Sequence, residues 1–497
     1  MSGARPVYLD YAATTPVDPR VAAAMSACLT LDGDFGNASS LHEFGRAAAA
    51  RIARARSQVA GLIGADAAEI VFTSGATESN NLAILGVARA NADRGRHLVT
   101  ARTEHKAVLD PCKRLEKEGF QVTYLTPQRS GLVTPAAVAA ALRPETRLVS
   151  LMCVNNEIGV VQDIAAIGAL CRERGVAFHS DCAQAAGKLP LEVAALPVDF
   201  LSFTAHKLYG PKGVGALYVR AGARALLQPV TFGGGQELGL RPGTLATHQI
   251  VGFGAACEIA GAELPAESAR LLALRERLWK ALGSLGGVHL NGAEAARVPG
   301  ILNVSFEGVE GESLVSALGE LAVSTGAACN SASAEASYVL RALGRSSLLA
   351  GASLRFSLGR FTEAAEVERA AADVRGAVAR LRAQSPAAPG SQLFPSGASG
   401  GAVVSGEAGG PAQETWVRIH LLLEGDIVKD ARVQAVGCPH TLDVAAWLSG
   451  ELKGRRRGTL LSGTPAEWAA SRSVPVEKLG RLLVIEDALR ACLLQWR

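Results

Sequence analysis

Short, nearly continuous apolar runs punctuate the first part of the chain, and between them apolar residues recur at helical spacing. His97-Leu-Val-Thr, Gln121-Val-Thr-Tyr-Leu, Arg147-Leu-Val-Ser-Leu-Met, Val176-Ala-Phe-His and Phe200-Leu-Ser-Phe predict strands. Pro135–Leu142 and Ile164–Arg174 predict helices between them. This alternation predicts an α/β architecture, a mostly parallel sheet with helices on both faces. A second α/β section is expected from about Pro265, with a long helix running through Leu278 and a strand at Asn303-Val-Ser-Phe. The pattern then breaks. From Ser385 to about Gln413, Ser, Pro, Ala and Gly dominate, too little apolar surface to offset ordering entropy, which predicts a flexible linker. Beyond it, Trp416-Val-Arg-Ile-His-Leu-Leu-Leu, a turn at Glu424-Gly425-Asp426 and Ile427–Val436 predict a hairpin, followed by an amphipathic helix over Leu442–Leu452.

Composition sharpens the division. All three methionines precede residue 385, no phenylalanine follows Phe394, and four of the five tryptophans (Trp416, Trp447, Trp468, Trp496) lie beyond the linker. Two units of different origin account for this. The 497-residue length favours more than one domain, and 48% hydrophobic with 19% charged residues is a globular balance. A net charge of +4 gives no reason to expect nucleic acid or a membrane surface as partner. No apolar run is long enough to span a bilayer, and the first residues lack a signal-peptide core. Nine scattered cysteines do not form a disulfide framework, so a reducing, cytoplasmic location is expected.

The densest chemistry lies in Ser202-Phe-Thr-Ala-His-Lys-Leu-Tyr-Gly-Pro-Lys-Gly213. Lys207 follows an apolar strand, sits beside His206 near Thr204, and precedes a Gly/Pro turn. Those are the surroundings of a lysine that forms a Schiff base with pyridoxal phosphate (PLP). Asp181 ends another strand, where a PLP enzyme needs an anion facing the pyridine nitrogen. Thr73-Ser-Gly-Ala-Thr-Glu-Ser79 joins Ile70-Val-Phe to a helix, and its small residues offer backbone N–H groups to a phosphate. The three features stand in the order that such a site requires.

Colinear segments carry a closer likeness: Tyr8–Pro16, Gly36–Arg46, Ser74–Ser79, Thr103–Val108, Val154–Gly159, His206-Lys207, Gly233–Glu237, Arg241–Thr244, Ser324–Cys329 and Leu354–Arg360. On these, residues 1–384 resemble the NifS/IscS-type cysteine desulfurases, fold type I PLP-dependent transferases of the class V aminotransferase group. The resemblance implies a large domain over about 15–262. It implies a small domain built from the N-terminal segment plus about 263–384. It also implies a homodimer that converts L-cysteine to L-alanine and supplies sulfur for iron–sulfur clusters or other thio-cofactors. Carried over by position, Lys207 holds PLP and shuttles a proton, and His105 stacks on the ring. Asp181 pairs with the ring nitrogen, and Asn156 and Gln184 bond near the ring oxygen. Ala76, Thr77, Thr204 and His206 hold the phosphate, with Thr244 reaching it from a partner subunit. Arg355, with Asn156, binds the substrate, and Cys329 is the nucleophile that carries a persulfide. The other cysteines of this part read as packing residues. The chain departs from the usual pattern at Leu238, Pro242, Ala38 and Ala246. A selenocysteine lyase is the alternative within the same chemistry, with the C-terminal unit then a docking module.

Residues 414–497 resemble, in part, the IscU/NifU N-terminal iron–sulfur scaffold family. The likeness rests on Asp430–Cys438, Leu452-Lys-Gly454, Val474–Leu479 and Glu486–Leu489. That family holds its cluster on three cysteines and an aspartate. Only Cys438 is matched here, with Gln413, Thr415 and Arg481 at the other positions. One thiolate does not make a cluster site, so no metal is assigned, although Cys329 or Cys438 could each supply a ligand. Cys438 at a helix start is a candidate sulfur acceptor, and the unit reads alternatively as a docking module that recruits a scaffold or as a relic that stabilises the dimer. A scaffold or other sulfur-acceptor protein is the expected partner.

Overall fold

The computed structural model describes residues 6–325, 336–383, 402–410, 415–461 and 463–496. A two-residue strand, β1 (Val7–Tyr8), comes first and pairs with a strand of the second section. The large sheet then forms from β2 (Ile70–Thr73), β3 (His97–Ala101), β4 (Gln121–Leu125), β5 (Thr146–Ser150), β6 (Ala177–Asp181), β7 (Phe200–Thr204) and β8 (Gly215–Val219). Its order is β2-β8-β7-β6-β5-β3-β4. Only β8 runs against its neighbours. Strands β2, β3, β5, β6, β7 and β8 are buried at every position but one, as a sheet covered by helices on both faces demands. Edge strand β4 is only half-buried. Because the parallel strands share a direction, their C-terminal ends lie along one edge, where ligands bind in open α/β sheets.

A second sheet, β12-β13-β10-β9, is antiparallel and comprises β9 (Val288–Leu290), β10 (Ile301–Phe306), β12 (Ser324–Thr325) and β13 (Ser353–Ser357). The remaining strand, β11 (Leu321–Ala322), pairs with β1. Two helices cover this section: Leu271, Leu274, Leu278 and Leu282 come from Thr247–Gly283, and Val367, Ala370 and Val374 from Ala364–Ala383. The helix expected to begin near Pro265 instead runs unbroken through it from Thr247. Proline removes one helical N–H, and here the partner carbonyl is that of Gly261, exposed to water, so the loss is tolerated. One long helix therefore joins the two sections where the sequence suggested a boundary.

The third core belongs to a three-stranded antiparallel sheet, β14 (Ala402–Gly410), β15 (Thr415–Glu424) and β16 (Ile427–Val436). The hairpin matches expectation. Strand β14 does not: it lies inside the segment assigned to the linker, paired to β15 from Ala402↔Leu423 to Gly410↔Thr415. Its small residues are a packing requirement. A Cβ on Gly406 would lie 2.0 Å from the carbonyl oxygen of Ala488 and 2.5 Å from the Cys492 nitrogen, in the helix Leu479–Gln495. Glycine read as linker composition thus lets a strand approach a helix backbone. Among the described residues no helix is long and apolar enough to cross a membrane.

Candidate active site

The strand ends meet in a cavity of about 650 Å³. Strand β2 ends at Thr73, and the chain turns through Gly75, at φ +152°, into the helix Ala76–Ala90. Only glycine takes that backbone easily, and it leaves the first N–H groups of the helix, at Ala76 and Thr77, facing the cavity they line. Strand β3 leads to His105, the N-cap of Lys106–Lys117, whose Nδ1 accepts from the Ala107 N–H at 3.1 Å. That bond leaves the ring proton on Nε2. Burial draws the His105 pKa down, Asp181 opposes this and Lys207 adds to it, which favours a neutral ring.

Asp181 closes β6 and is buried; Oδ2 accepts from Asn80 Nδ2 at 2.7 Å and Oδ1 from the Ala183 N–H at 2.9 Å. Strand β7 delivers Thr204, His206 and Lys207. His206 Nδ1 lies 3.1 Å from the Thr14 hydroxyl, and burial, with Lys207, Lys212 and Lys188 nearby, pushes its pKa down to about 4. Lys207 Nζ donates to the carbonyls of Ala12 and Ala13, each at 2.6 Å. Gln184 and Asn156 line the same space, and Asn156 Oδ1 is buried without a hydrogen-bond partner.

The opposite wall comes from β13. Arg355 Nη1 donates to the Asn156 carbonyl at 2.9 Å, and Nη2 reaches Asp10 at 2.7 Å and the Ser324 hydroxyl at 2.9 Å. Its Nε is buried with no partner. Nearby Glu157 is buried among few polar groups. Burial raises its carboxyl to about 7, against the lowering effects of the Ser337 hydroxyl and Arg355.

Of the residues singled out from sequence, Ala76, Thr77, His105, Asn156, Asp181, Gln184, Thr204, His206, Lys207 and Arg355 all line this one cavity. Thr244 does not; it is exposed on the loop before the long helix. Cys329 lies outside the described residues, although β12 leads toward it from Ser324 on the cavity wall. Sequence reasoning gave no role to Asp10, Thr14, Asn80 and Ser324, which the fold brings in from distant segments. Asp10 and Thr14 stand within the matched Tyr8–Pro16 segment and Ser324 opens the matched Ser324–Cys329 segment, the signals that could have pointed to them.

The cavity fits PLP by the chemistry of its donors. Helix N–H groups with Thr204 and His206 suit a phosphate, a buried carboxylate suits a pyridinium nitrogen, and the unpartnered Asn156 Oδ1 awaits a polar group. The model of the aminotransferase class-V family matches residues 7–370. The chain belongs to that family. A cysteine desulfurase IscS from Aeromonas hydrophila is 59% identical over 382 residues, which covers 77% of this chain and 95% of that protein. A solved structure of a NifS-like protein superposes with a TM-score of 0.71 at 35% identity, covering 76% of this chain and 100% of that one. A structure described as SspA in complex with cysteine matches with a TM-score of 0.64 at 40% identity, over 72% of this chain and 99% of that one. Enzymes of this kind depend on PLP, and the class-V fold here is a mixed α/β one with a large, mostly parallel sheet.

The C-terminal unit packs against the helix Gly311–Ser316 of the second section. Lys478 Nζ pairs with Glu312 at 2.6 Å, Arg481 lies 3.8 Å from Glu310, and the Ser313 hydroxyl donates to the Gly437 carbonyl. Cys438 caps the helix Pro439–Glu451 as expected, yet it is fully buried, its Sγ 3.4 Å from the Thr441 hydroxyl. The candidate acceptor thiol is therefore enclosed in this arrangement. Among the described residues no group of three His, Cys, Asp or Glu side chains is placed to hold a metal.

Proposed function

We propose that this protein is a cysteine desulfurase that converts L-cysteine to L-alanine and places the sulfur on Cys329. The observation that carries the reading is the convergence of Lys207, Asp181, His105 and Arg355 on one cavity. PLP, when bound, supplies an electron sink for the bonds at the substrate α-carbon. Asp181, held by Asn80 and the Ala183 N–H, keeps a proton on the ring nitrogen. With PLP bound, neutral His105 would stack on the ring, and Ala76, Thr77, Thr204 and His206 would hold the phosphate. Lys207 Nζ takes the α-proton and returns it. Arg355 binds the substrate carboxylate in place of Asp10, with Asn156 beside it. The Cys329 thiolate attacks the substrate sulfur: an S–S bond forms, the C–S bond breaks, the carbon chain takes a proton, and alanine leaves. The sulfur then passes to an acceptor thiol of a partner protein, for iron–sulfur clusters or other thio-cofactors.

The unit is a homodimer, with Thr244 completing the phosphate site of the partner subunit. Support comes from large apolar residues left exposed in the loops around 29–44 and 232–238, among them Leu31, Leu41 and Phe232. All eight described cysteines are buried and unpaired, which suits a reducing, cytoplasmic setting. The C-terminal unit, residues 402–497, is a scaffold-like module. With Thr415 and Arg481 where that family has ligands, it docks without assembling a cluster of its own.

The test is alanine formation from L-cysteine, with mass analysis of trapped persulfide, for wild type, Lys207→Ala, Cys329→Ala and Cys438→Ala. Loss of alanine in the first two variants, with the persulfide on Cys329 in wild type, supports the reading. Undiminished alanine in Cys329→Ala overturns the mechanism. Persulfide on Cys438 as well makes the C-terminal unit an internal acceptor.

A further inference from the structure

A second space of about 30 Å³ adjoins the active site and is lined by Lys188, Lys207, Tyr209, Glu267 and Arg360 among others. The chemistry above uses Lys207 and leaves Lys188 without a task. Lys188 Nζ donates to Gln184 Oε1 at 2.7 Å, and Gln184 Nε2 donates to the Ala12 carbonyl at 2.8 Å. Lys207 donates to that same carbonyl. A peptide carbonyl only accepts, and the Lys188 amine can donate to Oε1 whether or not it is protonated. The two neighbours therefore permit one orientation of the Gln184 amide, with Oε1 toward Lys188 and the –NH2 toward Ala12. The second N–H of that –NH2 is then left for the cavity whose wall Gln184 forms. A flipped amide would set its oxygen against the Ala12 carbonyl oxygen and turn the –NH2 toward the Lys188 amine.

We propose that Lys188 is a positioning residue of the cofactor site, fixing the Gln184 amide so that an N–H rather than the carbonyl oxygen is offered to the ring oxygen of PLP. The proposal rests on the reading that the cavity holds PLP. Burial draws the Lys188 amine down to about 7, with Lys207 and Arg355 adding to the effect and Glu267 opposing it. Tyr209 and Arg360 complete the polar surroundings of the small space. An aliphatic side chain would fill that space without the cost of burying an amine, so what the amine contributes is its donor.

The experiment follows the visible absorbance of the resting holoenzyme against pH, without substrate. A donor on the ring oxygen lowers the midpoint of the absorbance change. Lys188→Met is expected to raise it by about 0.5–1 pH unit, the weight of one hydrogen bond. In a Gln184→Ala background the same substitution is expected to move it by less than about 0.3 unit, since the amide through which Lys188 acts is gone. Equal shifts in both backgrounds would mean that the charge of Lys188 acts directly, and would overturn the proposal. An unchanged midpoint in Lys188→Met would do the same. Lys188→Leu replaces the Met variant in the cycle should the latter not fold. Wild-type protein that shows no visible band with PLP would overturn the functional reading itself, and this proposal with it.

Discussion

Arg355 and Glu157 show how a single side chain can be committed to two tasks at once. Arg355 already holds Asp10, so a substrate carboxylate must compete with a carboxylate supplied by the chain. Asp10→Asn removes that competitor. The KM for L-cysteine should fall about 5-fold with little change in kcat, a ground-state effect read by steady-state kinetics. Glu157 is held near 7 by burial, above its ordinary value of 4.5. Below pH 4.5 the carboxyl is protonated in both folded and unfolded chains and contributes nothing to the pH dependence. As pH rises from 4.5 to about 7 the unfolded chain has given up this proton while the folded chain keeps it, so the folded state loses stability across that range and the loss levels off above 7. Glu157→Gln removes that loss. Relative to wild type it should gain roughly 3 kcal/mol between pH 4 and pH 8, measured by urea unfolding at the two values.

At the scale of elements, two misread segments have the same cause. Pro265 and the glycines near residue 406 carry strong local signals, and in both places the tertiary setting reversed them. The Thr247–Gly283 helix bridges two cores, and packing of Leu271, Leu274, Leu278 and Leu282 outweighs one missing hydrogen bond. Pro265→Ala should restore that bond and raise stability by about 2 kcal/mol, the propensity gain less the looser unfolded chain, seen as a higher urea midpoint. Gly406 is the reverse case, since it permits contact. Gly406→Ala would press β14 against the Leu479–Gln495 helix, at a cost of about 1–3 kcal/mol to the C-terminal unit. Limited proteolysis should then cut within residues 402–497 first.

For the whole molecule, the site and the C-terminal unit are separable. Among the described residues no cavity-lining residue lies beyond Arg355, and the helix Ala364–Ala383 completes the second core. A chain ending at residue 383 should therefore form alanine from L-cysteine at a rate close to that of the full chain. The docking contacts on Gly311–Ser316 are another matter. Lys478→Glu should weaken the attachment and Glu312→Lys in the same chain should restore it, followed as exposure of Cys438 to an alkylating reagent.

The sequence by itself determined the element types and the chemistry of the cavity. Short apolar runs between turn signals read as buried strands, Lys207, Asp181 and the Gly75 turn each carry a local signature, and His105 was placed by the family resemblance. Their order along the chain matched one cofactor. The hairpin and the helix start at Cys438 were legible for the same reason, because turn residues and caps act within a few positions. Tertiary structure alone decided what depends on distant partners. Asp10 and Ser324 meet at Arg355, Lys188 acquires its place through Gln184, and Cys438 is buried next to Gly437, which accepts from Ser313. Such pairings are long-range contacts between segments that local composition does not relate. The strand hidden in a glycine-rich stretch belongs with them: its stability comes from the neighbouring strand and helix, and its own residues give no sign of either.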